Sequence, residues 1–367
     1  MLFLKSLPAN LRAHEGFEWP DQVGAIVQSE TWDPYPACGG GLHGLRNGDG
    51  DISLLCDKRD AVWIAFESVD EHGNPSDTET AIIDWAKAKC HRAVIRAIGT
   101  LNEATDWLVR HGCTRVVYAN HSVGDHQLAT VGVCGTATSS NEGIAIGGYG
   151  ATAKVAEYGI AITEARGTSQ SQGNDTIAIT GHHGNAAVEN CSVAIAGDYG
   201  EAKGAECSIA IAKDCSEATV GEESIAIVKS RGKATSGIWG ISVGRNYAAA
   251  VSGNAGYALT GQFGTASAGD KGVACAEYGG TAISGECGTS IADRTGKAKT
   301  GKNGVSIADE GGCVSGGENS VLILYGNNNT PVVAIVGLNG IKPDTIYKLH
   351  DGENRFVEVA QQPSKGA

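Results

Sequence analysis

The chain has 367 residues, of which 53 are Gly, 8 Pro, 11 Cys and only one Met, and its formal net charge is -13. Glycine does not recur at every third residue, which excludes collagen. Apolar residues are placed periodically rather than depleted, which excludes a disordered chain. The acidic balance carries no basic footprint for nucleic acid, and no stretch approaches the roughly 20 apolar residues that span a bilayer, so neither partner is expected.

Eleven cysteines is an odd number, and no CxxC occurs among them. That usage reads as free thiols in a reducing cytosol. The opening Met1-Leu-Phe-Leu-Lys5 is too short in its apolar part for a secretory leader. The expected location is cytoplasmic, in a bacterial or host cell, with virion association or signal-independent export still open.

Residues 1–127 differ in composition from the rest and read as a small α+β domain. Trp19, Trp32, Trp63, Trp85 and Trp107 lie here, with Pro8, Pro20, Pro34, Pro36 and Pro75. Ala61–Phe66 and Arg115–Tyr118 have the β-branched and aromatic content of strands. Thr100 is an N-cap for a short helix through Val109, with Gly112 as its stop, and a second helix is expected over about Thr78–Cys90.

The most suggestive local stretch is Cys38-Gly-Gly-Gly-Leu-His43-Gly44. Gly39, Gly41 and Gly44 satisfy GxGxxG, but loop-like residues flank them on both sides. The dinucleotide fingerprint needs a strand before and a helix after. Asn47, Asp49 and Asp51 resemble a calcium loop, yet Ile52 and Lys58 stand where that loop needs Gly and Glu. Cys38, His43, Cys56, Cys90 and His91 match no standard zinc spacing, so no metal and no cofactor are assigned. Cys38 and His43 are left as the candidate catalytic pair, set against a purely structural glycine turn. The Cys-to-His turn, with Trp19 upstream, resembles one in an uncharacterised family of bacterial and phage N-terminal domains that often precede Gly/Ala/Ser repeat arrays.

From Leu128 to about residue 325 the sequence repeats every sixteen residues. The beat is plain in Ile177-Ala-Ile179, Val193-Ala-Ile195, Ile209-Ala-Ile211, Ile225-Ala-Ile227 and Ile241-Ser-Val243. One seventeen-residue step, between Ile160 and Ile177, interrupts it. A short fixed period marks a solenoid. Counting each turn from its first apolar residue as position 0, positions 0 and 2 are apolar, 7 is usually Gly, 9 is Ala and 12 becomes Gly from Gly221 onward. Two short strands separated by two glycine corners follow, either because the bend wants positive φ or because a Cβ lacks room. The expected fold is mainly β: a flattened parallel β-solenoid (a β-roll) of thirteen turns, each adding about 4.8 Å.

Positions 0 and 2 are assigned to the interior and positions 1 and 3 to the outside. That places a row of small residues on the surface: Ala145, Ala161, Ala178, Ala194, Ala196, Ala210, Ala212, Ala226, Ala258, Ala274 and Ala276. A long apolar strip on a soluble protein marks an interface, so self-association into a dimer or trimer along these alanines is expected. The opposite face is polar, with Glu201, Lys203, Lys233, Lys297 and Lys299. Cys191 and Cys207 share a corner position on adjacent turns, close enough for a disulfide or a reduced thiol ladder. His182 and His183, with Tyr199 one turn on, are exposed. Lys and Arg offset most of the acid across the repeats, which argues against a DNA mimic.

The turn Cys207-Ser-Ile-Ala-Ile-Ala-Lys-Asp-Cys-Ser-Glu-Ala-Thr-Val-Gly221 resembles the head repeats of trimeric autotransporter adhesins, which are β-rolls, although no stalk or anchor is recognisable. The sixteen-residue spacing, with Gly148-Tyr-Gly-Ala-Thr152, also resembles bacterial ice-nucleation proteins. Their Thr-x-Thr ladder survives here only at Thr136 and Thr138, so ice binding is not expected.

Residues 326–367 read as a C-terminal β cap and tail. Leu322 and Leu324 become large, Asn327–Asn329 is a turn, and Pro331–Val336 is an apolar strand. Thr345–Leu349 and Arg355–Val359 pair as a hairpin around Asp351-Gly352. The leading expectation is a non-enzymatic structural or binding protein of phage or bacterial origin. The rivals are an enzyme or effector acting near Cys38 and His43, and a small-ligand or protein sponge.

Overall fold

The computed structural model describes residues 1–13, 16–56, 58–326, 329–350 and 355–359. It is mainly β, with a parallel β-solenoid of about 13 turns. The chain divides into two compact units, Met1–Gln172 and Gly173–Ala367.

The first unit opens with seven strands: β1 (Leu2–Leu7), β2 (Ile26–Gln28), β3 (Leu42–Arg46), β4 (Val62–Ser68), β5 (Thr80–Ile82), β6 (Lys87–Cys90) and β7 (Arg92–Gly99). They form one antiparallel sheet in the order β2-β7-β4-β1-β3-β6-β5. Both faces are apolar at its centre. Phe3, Trp19, Ile64, Phe66 and Ile95 pack on one side, and Leu4, Leu45, Ala65 and Ala97 on the other. Onto the second side folds helix α1 (Leu101–Arg110), which buries Ala104 and Leu108. Thr100 and Glu103 form a reciprocal capping box at its start, which satisfies two of the helix's free N–H groups. Gly112, at φ +89°, ends it.

Two expectations for this unit are corrected. Thr78–Cys90 is not a helix but the β5–β6 pair. The Asp84 carboxylate accepts the backbone N–H groups of Ala86 and Lys87 at 2.8 and 2.7 Å, closing a tight turn between them. Such an Asp turn competes with helix. Arg115–Tyr118 is likewise not a strand. It is a solenoid corner, with Tyr118 at φ +56° and its N–H bonded to the Val133 carbonyl. Regular two-sheet pairing then begins with Asn120–Val123.

In the solenoid each turn supplies a front strand (positions 0–3) and a back strand (positions 8–11). Front strands pair in parallel with identical positions stacked: Ile209 on Ile225, Ala210 on Ala226, Ile211 on Ile227, Ala212 on Val228. Back strands do the same, with Glu217, Ala218 and Thr219 on Lys233, Ala234 and Thr235.

The inside and outside of the front strands are the reverse of the expectation. Ala145, Ala161, Ala178, Ala194, Ala196, Ala210, Ala226, Ala258 and Ala274 are wholly buried, Ala212 nearly so, and Ala276 is 5% exposed. They face the interior, against the back-strand alanines such as Ala202, Ala218 and Ala234. The isoleucines at positions 0 and 2 point outward and are half-buried or exposed. Alternation with period 2 separates two faces but does not say which is inner when both are apolar. The corner length decides. Two tight corners hold the sheets close, and before the last turn the residues between the paired strands from Leu128 onward are Ala, Gly, Ser, Thr and an occasional Val. The outer isoleucines instead shield one another by stacking along the ladder.

Of the two reasons expected for the corner glycines, lack of room for a Cβ is the main one. Positive φ falls at positions 6 and 14, mostly on residues other than Gly: Cys215 at +55°, Glu223 at +53°, Arg231 at +59° and Trp239 at +54°. Glycines at positions 7 and 12 are required by space instead. A Cβ on Gly232 would lie 2.6 Å from the Ser216 carbonyl oxygen, and one on Gly237 2.8 Å from the Gly221 backbone. The left-handed residues extend the ladder around the bend, as Cys215 N–H donates to Ser230 O at 3.0 Å and Glu223 N–H to Ile238 O at 2.9 Å. Asp198 and Asp214 each accept the backbone N–H one turn on, at 3.1 Å. Inside, the Ser208 N–H donates to Ser224 Oγ at 3.0 Å. Buried backbone groups are thus satisfied turn by turn.

At the C-terminal end Leu322 and Leu324 are buried, again the inward positions, and pack with Val314, Val336 and Tyr347. Pro331–Ile335 pairs antiparallel with Val321–Tyr325 on the front sheet. Tyr347–Leu349 and Phe356–Glu358 close the back sheet, also antiparallel. The open sheet edges left by a solenoid are covered by this reversal of direction. The Asp351-Gly352 turn and the tail beyond Val359 lie outside the described residues, as does part of Asn327–Asn329.

The reversal is testable by paired substitutions on one strand. Ala226→Leu is expected to lower stability by about 1–3 kcal/mol through overpacking, and Ile227→Ala by about 1 kcal/mol at most for a half-exposed side chain. Urea unfolding followed by circular dichroism ranks the two. The opposite ranking would put the isoleucines inside.

Candidate functional site

The front face of the second unit is the most extensive candidate surface. Ten front strands run from Ile177–Thr180 to Val321–Tyr325, and Pro331–Ile335 adds an eleventh. Two outward columns are almost entirely apolar. Position 0 holds Val193, Ile209, Ile225, Ile241, Tyr257 and Val273, and position 2 holds Ile195, Ile211, Ile227, Val243, Leu259 and Cys275. Tyr257 is 51% exposed, and Val333 and Ile335 carry the face onto the last strand at 58% and 42%. With strands about 4.8 Å apart, the columns run for roughly 48 Å.

Position 4 continues the outward alternation and forms a third column. It reads Lys213, Lys229, Arg245, Gly261, Glu277, Asp293 and Asp309, and every side chain in it is exposed except the half-buried Asp309. The sixteen-residue period would have revealed this column; the glycine and apolar positions drew attention away from it. Between positions 2 and 4 lies an open groove of about 800 Å³, lined by Leu259, Cys275, Ile291, Ile307, Glu277 and Asp293 among others.

The back face is polar, as expected, with Glu201 and Lys203 paired at 2.8 Å. The two corner rows display side chains one per turn. His183 stacks on Tyr199 with ring centroids 5.1 Å apart, and Tyr247 on Phe263 at 5.4 Å. Stacking on one another occupies one face of each of these rings. His182 lies 3.4 Å from Asp198. Cys191 and Cys207 are both free and exposed. The Cys207 thiol is pushed up by desolvation first and then by its neighbours Cys191 and Glu223.

In the first unit Cys38 and His43 are placed on different supports. Gly39, Gly40 and Gly41 all have positive φ, and His43 follows on β3, opposite Lys89 of β6. Cys38 Sγ accepts a hydrogen bond from Lys87 Nζ at 3.3 Å. Lys89 is buried, donates to the Gly39 carbonyl at 2.8 Å and lies over the Trp32 ring. Lys5 Nζ donates to the His43 carbonyl at 3.2 Å. The ring Nε2 of His43 is enclosed without a hydrogen-bond partner. Burial, then Lys87, Lys5 and Lys89, push the His43 pKa down to about 4. Burial and then Lys87 lower that of Lys5 to about 8. Sequence reading found the cysteine and histidine but missed the three lysines, which come together only across strands.

The remaining candidates disperse. Cys90 is buried, its thiol pushed up to about 12 by desolvation. His91 Nδ1 pairs with Glu79 at 3.0 Å. Asp49 pairs with Arg115 at 3.2 Å, and Asp51 caps a short helical turn through Ser53. Among the described residues no group of three or more His, Cys, Asp or Glu is placed to hold a metal. A strand, not a helix, follows the glycines, so the dinucleotide motif fails on geometry. No helix among the described residues is long and apolar enough to cross a membrane.

Comparison of this two-sheet parallel β-solenoid with protein-family models, curated proteins and solved structures finds no match.

A depressed histidine pKa makes the folded state bind fewer protons than the unfolded chain between pH 6.5 and 4. The His43 contribution to stability is therefore full above pH 6.5 and falls as the pH drops toward 4. NMR titration of His43 is expected to give a midpoint near 4, rising in Lys87→Met.

Proposed function

We propose that this chain is a non-enzymatic structural protein, a capped β-solenoid that self-associates through the front face of its second unit. The reading is carried by one observation: two columns made mostly of Ile, Val, Leu and Tyr stand on the outside of a regular sheet, with none of the described residues of this unit over them. Soluble monomers rarely expose contiguous apolar patches beyond a few hundred Å². The alanine strip is not the interface in this proposal, because it is interior; the bulky outward columns take that role. The likeness of the repeat to trimeric autotransporter head repeats supports a self-associating β-roll, and the likeness of the N-terminal turn supports a phage or bacterial accessory protein. The free cysteines fit a reducing cytosol.

Sedimentation velocity is expected to show a dimer or trimer of the native chain. Ile211→Lys combined with Ile227→Lys is expected to weaken assembly at least a hundredfold while circular dichroism stays unchanged, since both positions are outward. A native chain that stays monomeric at tens of micromolar would end this reading.

A second reading rests on the first unit. Lys87 within 3.3 Å of Cys38 Sγ is the kind of cationic neighbour that nucleophilic cysteines use. An enzyme or effector working at Cys38, with the enclosed neutral His43 nearby in sequence, is the alternative. Iodoacetamide labelling followed by mass spectrometry is expected to modify Cys38 several-fold faster than the exposed Cys134, with the advantage lost in Lys87→Met. Equal rates at the two thiols would remove the support.

A further inference from the structure

The charged column beside the apolar face is antisymmetric. Reading along position 4, three basic residues, Lys213, Lys229 and Arg245, are followed by Gly261 and then by three acidic ones, Glu277, Asp293 and Asp309. Gly261 belongs to the turn of Tyr257–Thr260, which is the sixth of the eleven front strands of the second unit. The centre of the charge pattern is therefore also the centre of that face.

We infer that two copies of this chain pair front face to front face with their solenoid axes antiparallel, about a two-fold axis through the Tyr257–Thr260 strand. This inference rests on the reading of the front face as a self-association surface, and adds its partner orientation and register. A two-fold along the strand direction lays position 4 of one copy against position 4 of the other in reversed order. Lys213 then faces Asp309, Lys229 faces Asp293 and Arg245 faces Glu277, and the symmetry repeats all three contacts. An isologous interface needs this kind of self-complementarity. Tyr257 and Leu259, the protruding pair at the centre, meet their own counterparts across the axis.

Three further observations agree. Lys213, Lys229, Arg245 and Glu277 form no ion pair within the chain among the described residues, while Asp309 has only a distant one with Arg294 at 3.9 Å. The groove along the acidic half, about 800 Å³, is the half that receives the long basic side chains of the second copy. The three outward columns span roughly 13 Å by 48 Å, a flat footprint of about 600 Å² that side-chain relief enlarges, near the roughly 800 Å² per partner of stable interfaces.

Charge reversal tests the register separately from self-association itself. One variant carries Lys213→Glu, Lys229→Glu and Arg245→Glu, and another carries Glu277→Lys, Asp293→Lys and Asp309→Lys. Each alone is expected to dimerise at least a hundredfold more weakly than the native chain at low salt. An equimolar mixture is expected to form a heterodimer, and the six-fold variant to recover the homodimer. Carbodiimide cross-linking of the native dimer is expected to join Lys213 to Asp309 and Lys229 to Asp293. Lys213 and Asp309 stand six turns apart within one chain, about 29 Å, so that link arises only between copies. A native dimer in which both triad variants assemble normally, or a native trimer, overturns the antiparallel register and leaves the apolar interface standing. A monomeric native chain overturns both.

Discussion

The distance between the two sheets governs this molecule. Each solenoid turn bends twice within a few residues, and the second strand returns so close to the first that the interior accepts alanine and serine but little more. Close packing at that separation is a hard constraint, because a single added methylene has nowhere to go. Bulky residues are consequently displaced to the outside, where they recover part of their burial by stacking on identical neighbours one turn away. A protein that would ordinarily keep its isoleucines within keeps them on its surface. The apolar columns on which the proposed self-association rests are thus a result of the narrow core.

The corners answer the same constraint. Glycine stands mainly where the preceding turn's backbone presses in, as at Gly232 and Gly237, and seldom where the backbone is left-handed, as at Gly150, Gly279 and Gly311. The left-handed positions carry Cys, Glu, Arg, Trp and Tyr, at a local cost of about 1–2 kcal/mol each. Continuous hydrogen bonding around the bend, together with the aspartate ladders, offsets that cost. Sharp corners are thus sustained by neighbouring turns more than by the residues in them, as expected of a fold whose units contact only their neighbours.

Much of this was legible in the residue order. The period, the two strands per turn, the capped α1 and the C-terminal strands all follow from spacing and capping chemistry. The side of the strand facing inward was not, because Ile-Ala-Ile-Ala is apolar on both faces, and only the corner geometry breaks the tie. Thr78–Cys90 was misread as helix because the turn made by Asp84 is a local hydrogen-bond choice that periodicity does not register. The Cys38–His43 stretch stood out through its glycines. Its electrostatic character comes from Lys5, Lys87 and Lys89, which lie on two other strands and have no shared signal along the chain. The position 4 column was visible in principle, since it needs only the sixteen-residue beat and a look at charge.

The side chains of the two corner rows project from left-handed positions on the rim and are exposed at nearly every turn, so the solenoid accommodates varied chemistry there. Cys, His, Arg, Tyr, Phe, Trp, Lys and Glu all already occupy equivalent places in successive turns. The edges amount to two lines along which side-chain chemistry changes from one turn to the next while the interior keeps its small residues.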